Sequence, residues 1–317
     1  MMKTNMAFYA TMIIGTIVTL SSENWLSMWM GLEMNMMSFI SLMNLNTNKS
    51  SHESSMIYFL IQSISSIIML SMIIMIMCNY LTNMYQLILT MWILIKMSSA
   101  PFHLWMPKMM STMSWNNNLI FMTWQKISPI YLINMIELNI NNNLSIVMST
   151  LIGSLGGLYQ TSLRKIMAYS SMNHLGWIMG LNKTKDNWVI YLIIYSMMVI
   201  TMWNYLKMNT LMFIYQMFDL KLNYLQKMNI TLLMLSMGGM PPLLGLLPKL
   251  IVIEEMISNS TTTIIIMIMT SMLTLFFYLR IIFKKLMIQT MTNKYHMYLT
   301  KYSIMMYMMN LLLPLNI

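Results

Sequence analysis

Charge is scarce in this sequence. Only 8% of its 317 residues are Asp, Glu, Lys or Arg, while 58% are hydrophobic, and the mean hydropathy is +0.63. So little polar surface cannot coat a water-soluble globule of this size, which excludes a soluble enzyme. Cysteine is almost missing as well: Cys78 stands alone in an apolar run, and His52, His103, His174 and His296 lie far apart with no partner one helical turn away. Disulfide scaffolds, cysteine-ligated iron–sulfur clusters and ordinary zinc sites are therefore excluded within the chain.

What is present is a series of apolar runs. A helix needs roughly 20 apolar residues to cross about 30 Å of hydrocarbon. Runs bounded by Asn, Ser, Lys and Pro clusters predict about eleven transmembrane helices, near 4–20, 25–45, 56–78, 86–107, 118–137, 144–162, 167–182, 188–209, 229–253, 262–283 and 300–316. The expected class is an all-α polytopic membrane protein. Lys3 followed by an apolar run imitates a signal peptide, but no small-x-small cleavage pattern follows, so this run reads as the first span. The 49 methionines occupy positions where Ile or Leu would serve, as in Met72-Ile73-Ile74-Met75-Ile76-Met77. The thioether is as apolar as those side chains, so this bias suggests a genome that reads an isoleucine codon as methionine, as animal mitochondria do.

Orientation follows from the cations, which collect in short loops on the inner face. With eleven spans, 13 of the 18 Lys and Arg residues fall on the N-terminal side and only Lys183 and Lys185 on the other. The N-terminus is thus expected on the cytoplasmic or matrix face. The net charge of +10 is mostly this orientation signal, with no nucleic-acid partner implied.

Lys96, Lys126 and Lys249 remain, inside spans four, five and nine, and Glu33 lies inside span two. Each ionised group near the bilayer centre costs about 2.5–3.5 kcal/mol, so four unpaired groups cost on the order of 10 kcal/mol. A structural ion pair of Glu33 with one lysine, plus two lysines reaching for an interface, is the alternative to a functional role. One carboxylate, however, cannot neutralise three ammoniums.

Spans four and nine are also interrupted. The first contains Lys96-Met97-Ser98-Ser99-Ala100-Pro101-Phe102-His103, the second Gly238-Gly239-Met240-Pro241-Pro242 followed by Gly245 and Pro248-Lys249. Proline removes a backbone donor and clashes with the preceding turn, and bare backbone at that depth is tolerated only against protein or a water-filled cavity. Each break predicts a wet, polar site beside a lysine. Spans one to five and six to ten form two blocks whose fourth member is broken and lysine-bearing. Because five is odd, the second block enters from the opposite face, giving an inverted repeat of two five-helix units. The expected organisation is one transmembrane domain, 1–317, with repeats 1–140 and 141–285 and a loop and terminal helix over 286–317.

The strings Gly31-Leu32-Glu33-Met34-Asn35-Met36, Ala100-Pro101-Phe102-His103-Leu104-Trp105-Met106-Pro107, Thr123-Trp124-Gln125-Lys126, Gln160-Thr161-Ser162-Leu163-Arg164-Lys165, Asn173-His174-Leu175-Gly176-Trp177 and Gly238-Gly239-Met240-Pro241-Pro242 with Pro248-Lys249 closely resemble the chain-2 family of antiporter-like membrane subunits in mitochondrial NADH:ubiquinone oxidoreductase, respiratory complex I. The likeness runs to about residue 280. The helix count resembles the shortened animal form, and the methionine bias fits an arthropod-like mitochondrial genome.

The resemblance implies a core membrane subunit of the inner membrane that moves protons while NADH oxidation and ubiquinone reduction proceed elsewhere. It implies no cofactor in this chain, with NADH, FMN, iron–sulfur clusters and ubiquinone used in other subunits. Its partners would be other membrane-arm and accessory subunits and inner-membrane lipids, cardiolipin being a candidate. By motif, Glu33 and Lys96 correspond to an ion pair on the helices preceding the central lysine, Lys126 to that lysine, and Lys249 to the lysine of the second broken helix. His103 and His174 match histidines near the buried polar axis, though a lone buried His is as readily a hydrogen-bonded core residue.

The chemistry is coherent in itself, since a proton crossing hydrocarbon needs exchangeable groups with water between them. Lysine suits this because burial disfavours its charged form and an adjacent carboxylate favours it. Movement of Glu33 relative to Lys96 would then switch proton affinity along the line. A free-standing secondary transporter and a structural membrane scaffold are the competing classes. An isolated chain active in liposomes would mark the first, and assembly defects without turnover defects the second.

Routing supplies a test. Asn182-Lys183-Thr184 and Asn259-Ser260-Thr261 are glycosylation sequons on the cation-poor face, reachable only through the secretory pathway. Mass spectrometry of peptides spanning both is expected to find unmodified asparagine; a glycan at either would overturn the mitochondrial reading.

Overall fold

A computed structural model describes residues 2–45, 48–78, 84–135, 141–181, 187–219, 224–257 and 260–289. Among these all regular structure is helical, apart from one isolated antiparallel bridge between Ser162 and Phe213. The chain folds as two compact units that divide between Ser145 and Ile146. The expected terminal span, 300–316, lies outside the described residues.

The first unit contains α1 (Met2–Ser21), α2 (Trp25–Asn44), α3 (Lys49–Met77), α4 (Met84–Met97), α5 (Trp105–Thr112), α6 (Trp115–Thr123), a 3₁₀ turn (Trp124–Lys126) and α7 (Ile127–Met135). The second comprises α8 (Asn141–Leu158), whose first five residues precede the division, α9 (Leu163–Gly180), α10 (Asn187–Met208), α11 (Gln216–Asp219), α12 (Tyr224–Gly238), α13 (Leu246–Ile257) and α14 (Thr261–Gln289). Among the described residues, α3, α10 and α14 are individually long and apolar enough to cross a membrane.

Three differences from the sequence expectation have a local cause. Helix α3 starts at Lys49, because Ser51 and Ser54 turn their hydroxyls onto the carbonyls of Asn48 and Ser51 and leave the helix intact. Helix α9 starts at Leu163, where the Ser162–Phe213 bridge holds the preceding residue extended. The third difference is in span five, which is interrupted at Trp124–Lys126. Pro129 supplies no N–H to the carbonyl of Gln125 four residues back, and its ring crowds that carbonyl.

Side chains are distributed inside out. Ile17, Ile64, Ile67, Met269 and Phe276 are all exposed, while Lys96, Lys126, Lys249, Ser65, Ser99, Ser128 and Ser154 are buried. An apolar exterior around a polar interior suits a hydrocarbon solvent, in which the interior is where polar groups find partners.

Helix contacts inside each unit rest on small residues. A Cβ at Gly15 would lie 2.9 Å from the Gly31 carbonyl oxygen, and one at Gly31 would lie 2.7 Å from Thr19 Cγ2. Helices α1 and α2 therefore cross backbone to backbone, the close approach that drives helix association in lipid. In the second unit a Cβ at Gly153 of α8 would meet the Asn173 backbone nitrogen of α9 at 2.8 Å. Gly31→Val should force α1 off α2, costing about 1–3 kcal/mol by overpacking. The assembled protein is expected to melt several degrees lower in thermal-shift measurements; an unchanged melting temperature would refute the close crossing.

Candidate functional site

Helix α4 carries Lys96 in its last turn and stops one residue later. Ser98 has φ 59°; its N–H reaches the Ile95 carbonyl at 3.1 Å, and the Ser99 N–H reaches Leu94 at 3.0 Å. This is the Schellman closure, a left-handed residue that turns the chain and satisfies the last carbonyls. The Lys96 carbonyl accepts from Gln62 Nε2 of α3 at 3.4 Å. Its Nζ lies 5.4 Å from the centre of the Trp92 ring, within cation–π range.

Lys126 closes the 3₁₀ turn between α6 and α7 and is 4% exposed. Although thirty positions separate them in sequence, Lys96 and Lys126 line the same cavity, of about 20 Å³, with Asn35, Tyr58, Gln62 and Gln125 as its other polar walls. That volume holds one water molecule. Gln125 Nε2 donates to Asn35 Oδ1 at 3.0 Å, tying the turn before Lys126 to α2. Two ammonium-bearing side chains therefore share a polar, water-sized space surrounded by apolar helices.

Glu33 acts on Lys96 by charge without closing an ion pair: its buried Oε1 accepts no hydrogen bond among the described residues. The residue also lines an open groove of about 510 Å³ between α1 and α2, bordered by Phe8, Trp29 and Met30. It thus stands between the Lys96 side and the unit's outer surface. His103 is not part of the cavity. It sits half-buried in the loop between α4 and α5, with Nδ1 3.2 Å from the Pro101 carbonyl.

In the second unit, α12 ends at Gly238 with the same closure. Gly239 has φ 80°, and its N–H and that of Met240 reach the carbonyls of Ser236 at 3.1 Å and Leu235 at 3.2 Å. Seven residues later the chain resumes as α13, and Lys249 reaches back so that Nζ donates to the Gly238 carbonyl at 2.8 Å. The ammonium therefore caps the negative end of the α12 dipole. Its Nζ also lies 5.8 Å from the centre of the Trp177 ring on α9. His174, one turn earlier on α9, is 2% exposed, with Nδ1 2.9 Å from the Tyr191 hydroxyl. No cluster of three metal-ligating side chains occurs among the described residues.

Sequence reasoning passed over Asn35, Tyr58, Gln62 and Gln125. Two of them carried a signal: Asn35 is two residues from Glu33 and Gln125 is next to Lys126. Gln62 was visible as a lone amide in an apolar span. Tyr58 was not, because a tyrosine in a span reads first as an interfacial anchor.

The model of the family "NADH:quinone oxidoreductase/Mrp antiporter, TM" matches residues 22–274, a stretch containing both lysine-bearing breaks. The chain belongs to this NADH:quinone oxidoreductase/Mrp antiporter membrane family. It is 42% identical over 304 residues to the NADH-ubiquinone oxidoreductase chain 2 of Anopheles gambiae, covering 92% of this chain and 88% of that one. In fold it is similar to a chain of respiratory complex I from Thermus thermophilus, with a TM-score of 0.81 and 20% identity over 89% of this chain and 70% of that one. It is also similar to a chain of the Mrp complex from Dietzia, with a TM-score of 0.75 and 17% identity over 86% of this chain and 59% of that one. The antiporter-like membrane fold of the family is thus the fold of this chain.

The second break makes its lysine testable. A Cβ at Gly245 would lie 1.7 Å from the Ser236 carbonyl oxygen, a clash with backbone, whereas one at Gly239 would lie 2.5 Å from Lys249 Nζ, a movable group. Gly245→Ala should therefore abolish assembly. Gly239→Ala, strained by its positive φ at a cost of about 1–2 kcal/mol, should assemble at reduced level with Lys249 displaced from the Gly238 carbonyl. Native-gel quantitation separates the two, and equal assembly of both variants would contradict this geometry.

Proposed function

We propose that this chain is the proton-translocating, antiporter-like core subunit of a mitochondrial NADH:ubiquinone oxidoreductase. It resides in the inner membrane with its N-terminus on the matrix side. The observation that carries this reading is the cavity in which Lys96 and Lys126 meet with room for one water. A proton held by one ammonium repels a proton on the other, while the nearby Glu33 carboxylate attracts a proton held at Lys96. Displacing the carboxylate would push the proton onward to Lys126 through the intervening water. Asn35 and Gln125, already hydrogen-bonded to each other, orient that water and leave its transfer to the lysines. In the second unit Lys249 plays the corresponding part, with His174 one turn from the Trp177 ring that this lysine faces; His103 serves as a lesser exchange group near the first break.

The membrane topology belongs to the same proposal: eleven spans, with 1–140 and 141–285 as inverted repeats and 286–317 as a loop and terminal helix. Its support is the likeness between the two units, each opening on two helices that cross at glycine and each holding a Schellman-ended broken helix beside a lysine. NADH, FMN, iron–sulfur clusters and ubiquinone belong to other subunits on this reading. The neighbours are membrane-arm and accessory subunits and inner-membrane lipids, cardiolipin among them.

Lys126→Met keeps length without charge. It should leave assembly largely intact and lower proton pumping and coupled quinone reduction by on the order of tenfold or more. A normal proton-to-electron ratio in the assembled variant would refute the role. Glu33→Gln should lose most of its effect once Lys96 is already Met, since it acts through that residue; strictly additive losses would contradict the coupling.

A further inference from the structure

Four aromatic side chains with exchangeable protons lie buried together in the second unit, and the lysine line does not use three of them. Tyr191 and Tyr195 stand one turn apart on α10, Tyr278 lies on α14, and His174 lies on α9; their exposures are 0%, 1%, 1% and 2%. The His174 and Tyr195 rings are 4.9 Å apart centre to centre, and the Tyr191 hydroxyl is 2.9 Å from His174 Nδ1. Tyr195 faces Ser171 and Tyr278, and Tyr278 faces Ser170.

Packing alone does not account for this cluster. Phenylalanine would fill the same volumes, and each buried phenol costs free energy unless its hydroxyl is satisfied. The serines beside the phenols are placed to accept hydrogen bonds from them. Ser170 and Ser171 Oγ donate to the carbonyls of Met167 and Ala168 at 2.9 and 2.7 Å, which spends their hydrogens and leaves oxygen lone pairs toward the tyrosines. Ser170, Ser171, His174 and Trp177 follow one another along α9, spanning about 10 Å. The far end of that row is the Trp177 ring beneath the Lys249 ammonium.

We propose that Tyr191, Tyr195 and Tyr278, with His174, form a proton relay that connects Lys249 to the N-terminal half of α9. This rests on the translocation reading above and adds to it a route for one half-channel, toward the end of α9 that carries Arg164 and Lys165. In the central step the Lys249 ammonium gives a proton to water and becomes a neutral amine; that protonated water delivers a proton to the Tyr191 oxygen as the Tyr191 hydroxyl gives its own hydrogen to Nδ1 of neutral His174. The imidazolium then releases its Nε2 proton, and exchange through water restores the tautomer. Tyr195 and Tyr278 hand protons on in the same manner, one O–H bond forming as the next breaks, with water bridging the gaps.

The test uses the intact complex in proteoliposomes, with Tyr191→Phe, Tyr195→Phe and Lys126→Met made singly and rates normalised to assembled complex. Each tyrosine variant keeps its ring and should assemble. Each should pump protons at about a tenth of the native rate or less, with a changed ratio of rates in H₂O and D₂O, a quantity that a packing role would not move. Native pumping and a native isotope ratio in either tyrosine variant would overturn the relay. Failure of both variants to assemble would overturn it too, since the hydroxyls would then be packing groups. If Lys126→Met is impaired and the tyrosine variants are not, only the relay falls; if Lys126→Met is silent, the translocation reading itself falls.

Discussion

An ammonium group held inside hydrocarbon has few affordable partners: a carboxylate, a carbonyl dipole, an aromatic face or a water molecule. In this chain three lysines are so held, and much of the unusual backbone lies beside them. Lys249 takes a free carbonyl at a helix end and an aromatic face. Lys96 takes an aromatic face and a distant carboxylate charge. A continuous α-helix offers no free carbonyl at mid-depth, because each is spent on the amide four residues on. Breaking the helix is therefore how a bilayer protein presents a dipole end to a buried cation, and the Schellman closures at Ser98 and Gly239 limit the cost by satisfying the remaining carbonyls.

The same constraint explains why the site is lined with amides and hydroxyls instead of further charges. Asn35, Gln62 and Gln125 add hydrogen-bonding capacity to the cavity without adding a net charge. Gln62 and Gln125 are themselves anchored, to the Lys96 carbonyl and to Asn35. The cavity walls are thus held in place by their own hydrogen bonds, and a buried polar wall that is satisfied in this way is rigid.

How far this was legible in the sequence depends on whether the cause was local. Both breaks were readable because proline and glycine act on their own segment. The interruption at Trp124–Lys126 was missed although its cause, Pro129, lay in plain view, because a single proline in a span usually bends a helix without replacing its turn type. The meeting of Lys96 with Lys126 depends on α4 packing against α7, which no spacing in the chain reveals. The seat of His103, with its ring at the Pro101 carbonyl in the loop between α4 and α5, was likewise not readable from its motif. The tyrosines of α10 and α14 were invisible, since nothing in their local sequence separates a buried phenol from one at the membrane interface.

The two breaks share a closure and differ in the residue that makes it, and the difference follows from where each lysine sits. Lys96 precedes its break, so its side chain leaves from the helix and the left-handed position is free to carry a side chain; there a serine tolerates φ 59°. Lys249 follows its break and must reach back across it to the Gly238 carbonyl, passing over the left-handed residue. Any Cβ at that residue would lie 2.5 Å from the ammonium, so glycine is required by the lysine as much as by the backbone. Conformation alone would have permitted asparagine or serine at either site. The glycine at 239 is in this sense part of the ammonium's binding pocket, and the order of lysine and break along the chain decides whether the pocket needs one.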